Sequence, residues 1–102
     1  MRWAALFTDK TEGAAEIRAA HTADHQAYLR EYKGQILLAG AMRAEPDGAP
    51  VGGLWIFQAD TKEEVEAIIA RDPFQIHGLR ATTTINAWGT APGYEDVAIA
   101  PR

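Results

Sequence analysis

The sequence predicts an α+β fold of the ferredoxin-like βαββαβ type, a four-stranded antiparallel sheet with two helices on one face. Three observations predict it. Two Ala- and Glu-rich helical stretches alternate with four short apolar or β-branched stretches in the order β-α-β-β-α-β. Thr61-Lys62-Glu63-Glu64 forms a capping box, which marks the start of the second helix. The two middle strands are joined by a polar segment with two prolines and a glycine, as a hairpin with a long tip requires.

Taken in order, Arg2–Thr8 (RWAALFT) is the first strand, followed by a polar turn in which Asp9 or Thr11 is expected to cap the next helix. Ala14–Lys33 is the first helix, and Gly34 is expected to end it in a left-handed conformation. Gln35–Met42 (QILLAGAM) and Gly52–Ala59 (GGLWIFQA) are strands two and three, around the loop Glu45–Val51. The second helix runs from the capping box to about Arg71, with Val65, Ile68 and Ile69 inward. Asp72-Pro73 breaks it, since proline disfavours helical geometry at the preceding residue and can itself open a new turn over Phe74–Leu79. Arg80–Trp88 (RATTTINAW) is strand four. The domain is set at 1–90 and a Pro- and Gly-containing tail at 91–102.

Strands one to three do not alternate apolar with polar residues. Trp3 to Phe7, Ile36 to Leu38 and Leu54 to Phe57 are continuous apolar runs. A sheet covered on one face alone should alternate, so these runs predict that the second face is covered too. The chain has no third long helix for that. The simplest cover is a second copy, giving a homodimer through the sheet face that buries on the order of 1,200–2,000 Å².

Composition excludes several classes. The 102 residues allow one domain with a modest core. Without cysteine there are no disulfides, thiolate metal sites or cysteine nucleophile, and without serine an acyl-enzyme mechanism has little support. The net charge of −4 and scattered basic residues argue against nucleic acid. No apolar run approaches the ~20 residues of a membrane span. The apolar start is too short for a signal peptide, so no membrane association and a cytoplasmic location are expected. No cofactor is expected.

The stripe of the first helix reads Ile17, His21, His25, Leu29 and Tyr32, with Tyr28 beside it. Two histidines on one face, four residues apart, each need a partner or carry a desolvation cost of a few kcal/mol. Their spacing is that of a zinc pair, but Thr22 stands where the metalloprotease motif has glutamate, and no metal is expected. Acid–base chemistry needs one histidine and a carboxylate to fix its tautomer. Asp72, pinned by Pro73 at the end of the second helix, is the best candidate, because the two helices lie side by side on the sheet.

HQAYL (25–29), LLAG (37–40), GGLWIF (52–57), ARDPF (70–74) and the closing strand with Trp88 together resemble the YCII-related domain family across about residues 2–88. The resemblance implies a ferredoxin-like fold that pairs as a dimeric α+β barrel. It also implies a His–Asp pair for catalysis or ligand binding, which falls by motif on His25 and Asp72. Around that pair His21, Met42, Phe74 and Trp55 are the expected ligand contacts, with Trp3 and Phe57 as further apolar candidates. Two functions follow: a lyase- or isomerase-type enzyme on a small cyclic or carbonyl compound, or a non-catalytic dimeric small-ligand-binding or regulatory protein. The expected partners are therefore a small molecule and a second copy of the chain.

Overall fold

A computed structural model describes residues 1–100; positions 101–102 of the expected tail lie outside the described residues. The order is β1 (Arg2–Asp9), α1 (Ala14–Glu31), β2 (Ile36–Arg43), β3 (Pro50–Gln58), α2 (Lys62–Ile69), α3 (Pro73–Ile76) and β4 (Arg80–Ala87). The strands form one antiparallel sheet in the order β2-β3-β1-β4. This is the expected βαββαβ arrangement, with the long hairpin tip lying between Arg43 and Pro50.

The helix ends differ from expectation. Neither Asp9 nor Thr11 caps α1. Gly13 does so through its backbone, at φ 79°, and its carbonyl accepts from the Ile17 amide at 3.0 Å. A side-chain cap needs extended backbone, whereas this left-handed position favours glycine. Gly34 is not left-handed, because α1 has already ended at Glu31 with Tyr32 as its cap. At α2 the Thr61 hydroxyl accepts from the Glu64 amide at 3.2 Å, and Glu64 reaches back to the Asp60 amide at 3.1 Å. The box therefore closes one residue earlier than expected. Asp72 separates α2 from α3 and accepts from the Phe74 amide at 3.1 Å, capping the short helix that Pro73 opens.

The core lies between the sheet and the helices. Ala5 and Phe7 of β1 and Trp55 and Phe57 of β3 meet Tyr28 of α1 and Val65, Ile68 and Ile69 of α2. Strand pleating sends alternate residues to the other face, where Leu6, Leu38, Met42 and Leu54 are 37% to 48% exposed. The continuous apolar runs thus resolve into a buried face and an apolar, solvent-facing one. Among the described residues, no helix is long and apolar enough to cross a membrane.

Candidate active site

The site grows from the two sides of α3, where Asp72 caps its start and Arg80 opens β4 beyond it. Asp72 is fully buried, and its position before Pro73 turns its carboxylate toward α1. There His25 Nδ1 lies 2.7 Å from Asp72 Oδ1. The turn of α3 then brings the chain back, so that Arg80, the first residue of β4, donates from Nη1 to Asp72 Oδ2 at 2.6 Å. One carboxylate therefore holds an imidazole on one oxygen and a guanidinium on the other. Burial on its own would raise the Asp72 carboxyl. The His25 hydrogen bond and the Arg80 charge outweigh it and hold the group below the usual carboxylate range. The Arg80 guanidinium is lowered by burial, against the opposing pull of Asp72.

Aromatic rings fix the two partners. The His25 ring stacks on Phe74 with centroids 4.1 Å apart, and Trp55 stands 5.8 Å away. The Arg80 guanidinium lies 4.1 Å from the Phe7 ring centroid and 5.2 Å from that of Trp55. Tyr28 donates to the Ile68 carbonyl at 2.5 Å, which ties α1 to α2 beside the pair. Burial, followed by the Asp72 charge, pushes its phenol up, so Tyr28 stays neutral.

A cavity of about 220 Å³ opens on this arrangement, lined among others by His25, Phe74, Trp55 and Arg80. Its mouth carries Arg18, whose Nε and Nη2 both donate to Asp9 Oδ2, at 3.0 and 2.8 Å. Gly40, Gly52 and Gly53 make a bare floor. A Cβ at Gly52 would stand 2.0 Å from the Phe7 carbonyl oxygen, so no other residue fits there with β3 in place. With Asp72 accepting from Nδ1, the Nε2 lone pair of neutral His25 is free to take a proton. The same arrangement steadies the imidazolium once formed.

His25, Asp72, Trp55 and Phe74 are thus brought together. His21 and Met42 do not line this cavity. His21 lies one turn earlier on α1 and stacks on His77, centroids 3.6 Å apart and planes 5° from parallel. A metal ion cannot lie in the planes of both rings in that geometry. Met42 shares the outer sheet face with Leu38 and Leu54, because pleating places it opposite in direction to Ala41, which does line the cavity. Trp3 and Phe57 do not line it either. Phe57 is core, and Trp3 spends its indole N–H on the Ala59 carbonyl at 3.0 Å. Arg80 is the residue the sequence reading missed. The signal was present: eight residues after Asp72, with one short turn between, a strand-opening arginine returns beside that carboxylate.

A buried His–Asp pair thus lies beside an aromatic cavity on a ferredoxin-like sheet. The chain belongs to the YCII-related domain family, whose profile matches residues 1–89. Among solved structures it is similar to 5-chloro-2-hydroxyhydroquinone dehydrochlorinase from Burkholderia phenoliruptrix AC1100, in complex with 2,5-dihydroxybenzoquinone. The two are 26% identical with a TM-score of 0.79, over 89% of this chain and 96% of that one. An antibiotic biosynthesis monooxygenase shares the fold at 12% identity and a TM-score of 0.51, over 89% and 98% of the two chains. So does a protein of Agrobacterium tumefaciens, at 13% identity and a TM-score of 0.50, over 91% and 96%. No curated protein matches the chain.

Proposed function

We propose that this protein is an acid–base enzyme of the lyase or isomerase type, acting on a small cyclic or carbonyl compound. His25 carries the proton, Asp72 fixes its tautomer and steadies its cation, and Arg80 holds Asp72 in place. The observation that carries the reading is the 2.7 Å contact between His25 Nδ1 and buried Asp72, with the ring lining a cavity. The similar dehydrochlorinase, itself an enzyme on a small ring compound, supports it. An α-proton of a carbonyl compound would pass to Nε2 and return to another carbon, or leave with the departure of a β-substituent. The working unit is a homodimer joined through the outer sheet face, a reading supported by exposed Leu6, Leu38, Met42 and Leu54.

The test is hydrogen exchange from carbon. Small cyclic ketones and hydroxyquinones are incubated with the protein in deuterated water and followed by NMR. Enzyme-dependent deuterium incorporation or elimination, lost in His25→Gln, is the expected result. A protein that binds these compounds yet never exchanges or eliminates is a binder, and the enzymatic reading is then wrong.

A further inference from the structure

We infer that the His25 cavity is built for a planar organic anion, an ionised enol or phenol, whose oxygens are received by Arg18, Arg80 and Trp55. This rests on the proposed acid–base reading for its chemistry, but it stands on a separate observation, the imbalance between donors and acceptors on the cavity wall.

The donors come first. Arg80 spends Nη1 on Asp72 and on Gln75, the latter at 3.3 Å, and its Nε and Nη2 have no partner among the described residues. Arg18 spends Nε and Nη2 on Asp9 and leaves Nη1. The Trp55 indole nitrogen also lacks a partner; it lies 3.7 Å from where a Cβ on Gly53, on the cavity floor, would stand. Among the described residues, the side-chain nitrogens and oxygens that are both buried and unpartnered are Arg2 Nε and Asp9 Oδ1 alone. The four cavity donors are therefore unpartnered but reachable.

The carboxylate acceptors are spent or sealed, and the side-chain acceptors left on the wall are uncharged: Nε2 of neutral His25, the Thr22 hydroxyl oxygen and the Gln26 carbonyl oxygen. Asp9 Oδ2 takes Arg18, and Asp9 Oδ1 is closed off from solvent. Asp72 Oδ1 takes His25 and the Phe74 amide, and Asp72 Oδ2 takes Arg80. The Thr22 hydroxyl spends its donor on the Arg18 carbonyl and keeps acceptor lone pairs. Gln26 offers one group of each kind at the wall. A ligand rich in donors would leave both itself and the arginines unsatisfied, whereas one rich in oxygen acceptors satisfies them.

Shape and charge narrow the class. The walls are the flat rings of Trp55 and Phe74, and about 220 Å³ is ample for one six-membered ring, since a cavity of ~150 Å³ holds benzene. The charged groups facing His25 are Asp72 and Arg80, with Arg18 and Asp9 across the cavity; they form two ion pairs that cancel. Tyr28 is neutral. The counter-charge for a bound anion is therefore the imidazolium of His25, and binding an anion takes up a proton there.

The experiment is calorimetric titration of the wild-type protein with 2,5-dihydroxybenzoquinone, which is ionised at neutral pH, and with its neutral dimethyl ether. It is run in two buffers of different protonation enthalpy. The expected result is that the anion binds more tightly by about tenfold or more, the worth of one charge-assisted hydrogen bond. Proton uptake should accompany the anion only, and His25→Gln should abolish it. Arg18→Gln, on the half-exposed mouth, should weaken the anion about tenfold and leave the ether unchanged. Equal binding of the two probes, binding of neither, or anion binding without proton uptake overturns the inference. Its failure is separable from that of the enzymatic reading. Anion preference with no exchange or elimination removes the enzyme and leaves this site; turnover of an uncharged ketone with no anion preference does the reverse.

Discussion

Asp72 and Arg80 meet in a 2.6 Å ion pair whose carboxylate is fully buried and whose guanidinium side chain is only 6% exposed. A buried pair gives little net stability, but breaking it leaves the surviving charge without a partner. Asp72→Asn should therefore destabilise the protein by roughly 3–5 kcal/mol, measured by urea denaturation. Arg80→Met combined with Asp72→Asn should recover part of that loss, because neither charge is then orphaned. A single-variant cost below about 1 kcal/mol, the range of exposed pairs, would mean that water reaches Arg80 when Asp72 is gone.

The same carboxyl sets part of the acid stability. Its folded-state pKa is depressed by His25 and Arg80, while in the unfolded chain it titrates near ~3.9. Between the folded value and ~3.9 the unfolded chain binds the extra proton, so stability rises with pH across that window. The contribution is complete above the unfolded value and is lost as pH falls through the folded one. Urea midpoints followed from neutral to acid pH should show a shallower acid limb in Asp72→Asn than in wild type. Parallel limbs would mean that Asp72 titrates alike in both states.

Much of this was legible in the sequence, and the reasons for the rest are physical. The order of elements, the Thr61 cap and the Asp72-Pro73 break are local signals, and local chemistry decides them. His25 and Asp72 could be paired because a helix stripe and a helix end are both readable positions. Arg80 was missed because its partner is made by a turn, not by periodicity; at the head of a β-branched strand an arginine looks like an ordinary edge charge. Met42 was misplaced because β2 shifts register against β3 between Ile36 and Leu38, and again between Met42 and Arg43. One such shift reverses which face a strand residue occupies. His21 found its partner in His77, the C-terminal cap of a four-residue helix whose docking on α1 no local pattern announces.

Replacing His25 separates chemistry from anchoring. In His25→Ala the Phe74 and Trp55 walls and the two arginines remain, so a ring ligand keeps most of its contacts. Turnover should fall by at least ~100-fold, the usual worth of a positioned general acid or base, with affinity for an uncharged ring ligand within about tenfold of wild type. Calorimetry and a rate assay on the same preparation check both. Loss of affinity with no activity to lose would make His25 a polar anchor.

The His21–His77 stack joins α1 to α3, and α3 carries Phe74 of the cavity wall. The two rings should couple by about 0.5–1.5 kcal/mol in a double-mutant cycle of His21→Ala and His77→Ala at neutral pH. No measurable coupling would mean that the rings part in solution.

Leu54 is the residue on which the proposed dimer can be tested most directly. It sits on central strand β3, opposite Leu6 of β1 and Gly40 of β2, on the face that carries Leu38 and Met42. It is 37% exposed and touches no part of the cavity wall, so a charge there leaves the His25 site alone. In a dimer joined through this face, Leu54→Glu would place a carboxylate in an apolar contact, and desolvating that charge without a partner costs several kcal/mol. A stable interface of ordinary size, on the order of 1,200–2,000 Å², cannot absorb that at its centre. Wild type should therefore run as a dimer in light scattering at micromolar concentration and Leu54→Glu as a monomer, with unchanged helical circular dichroism. A wild type that is already monomeric would leave the apolar face without the partner proposed for it.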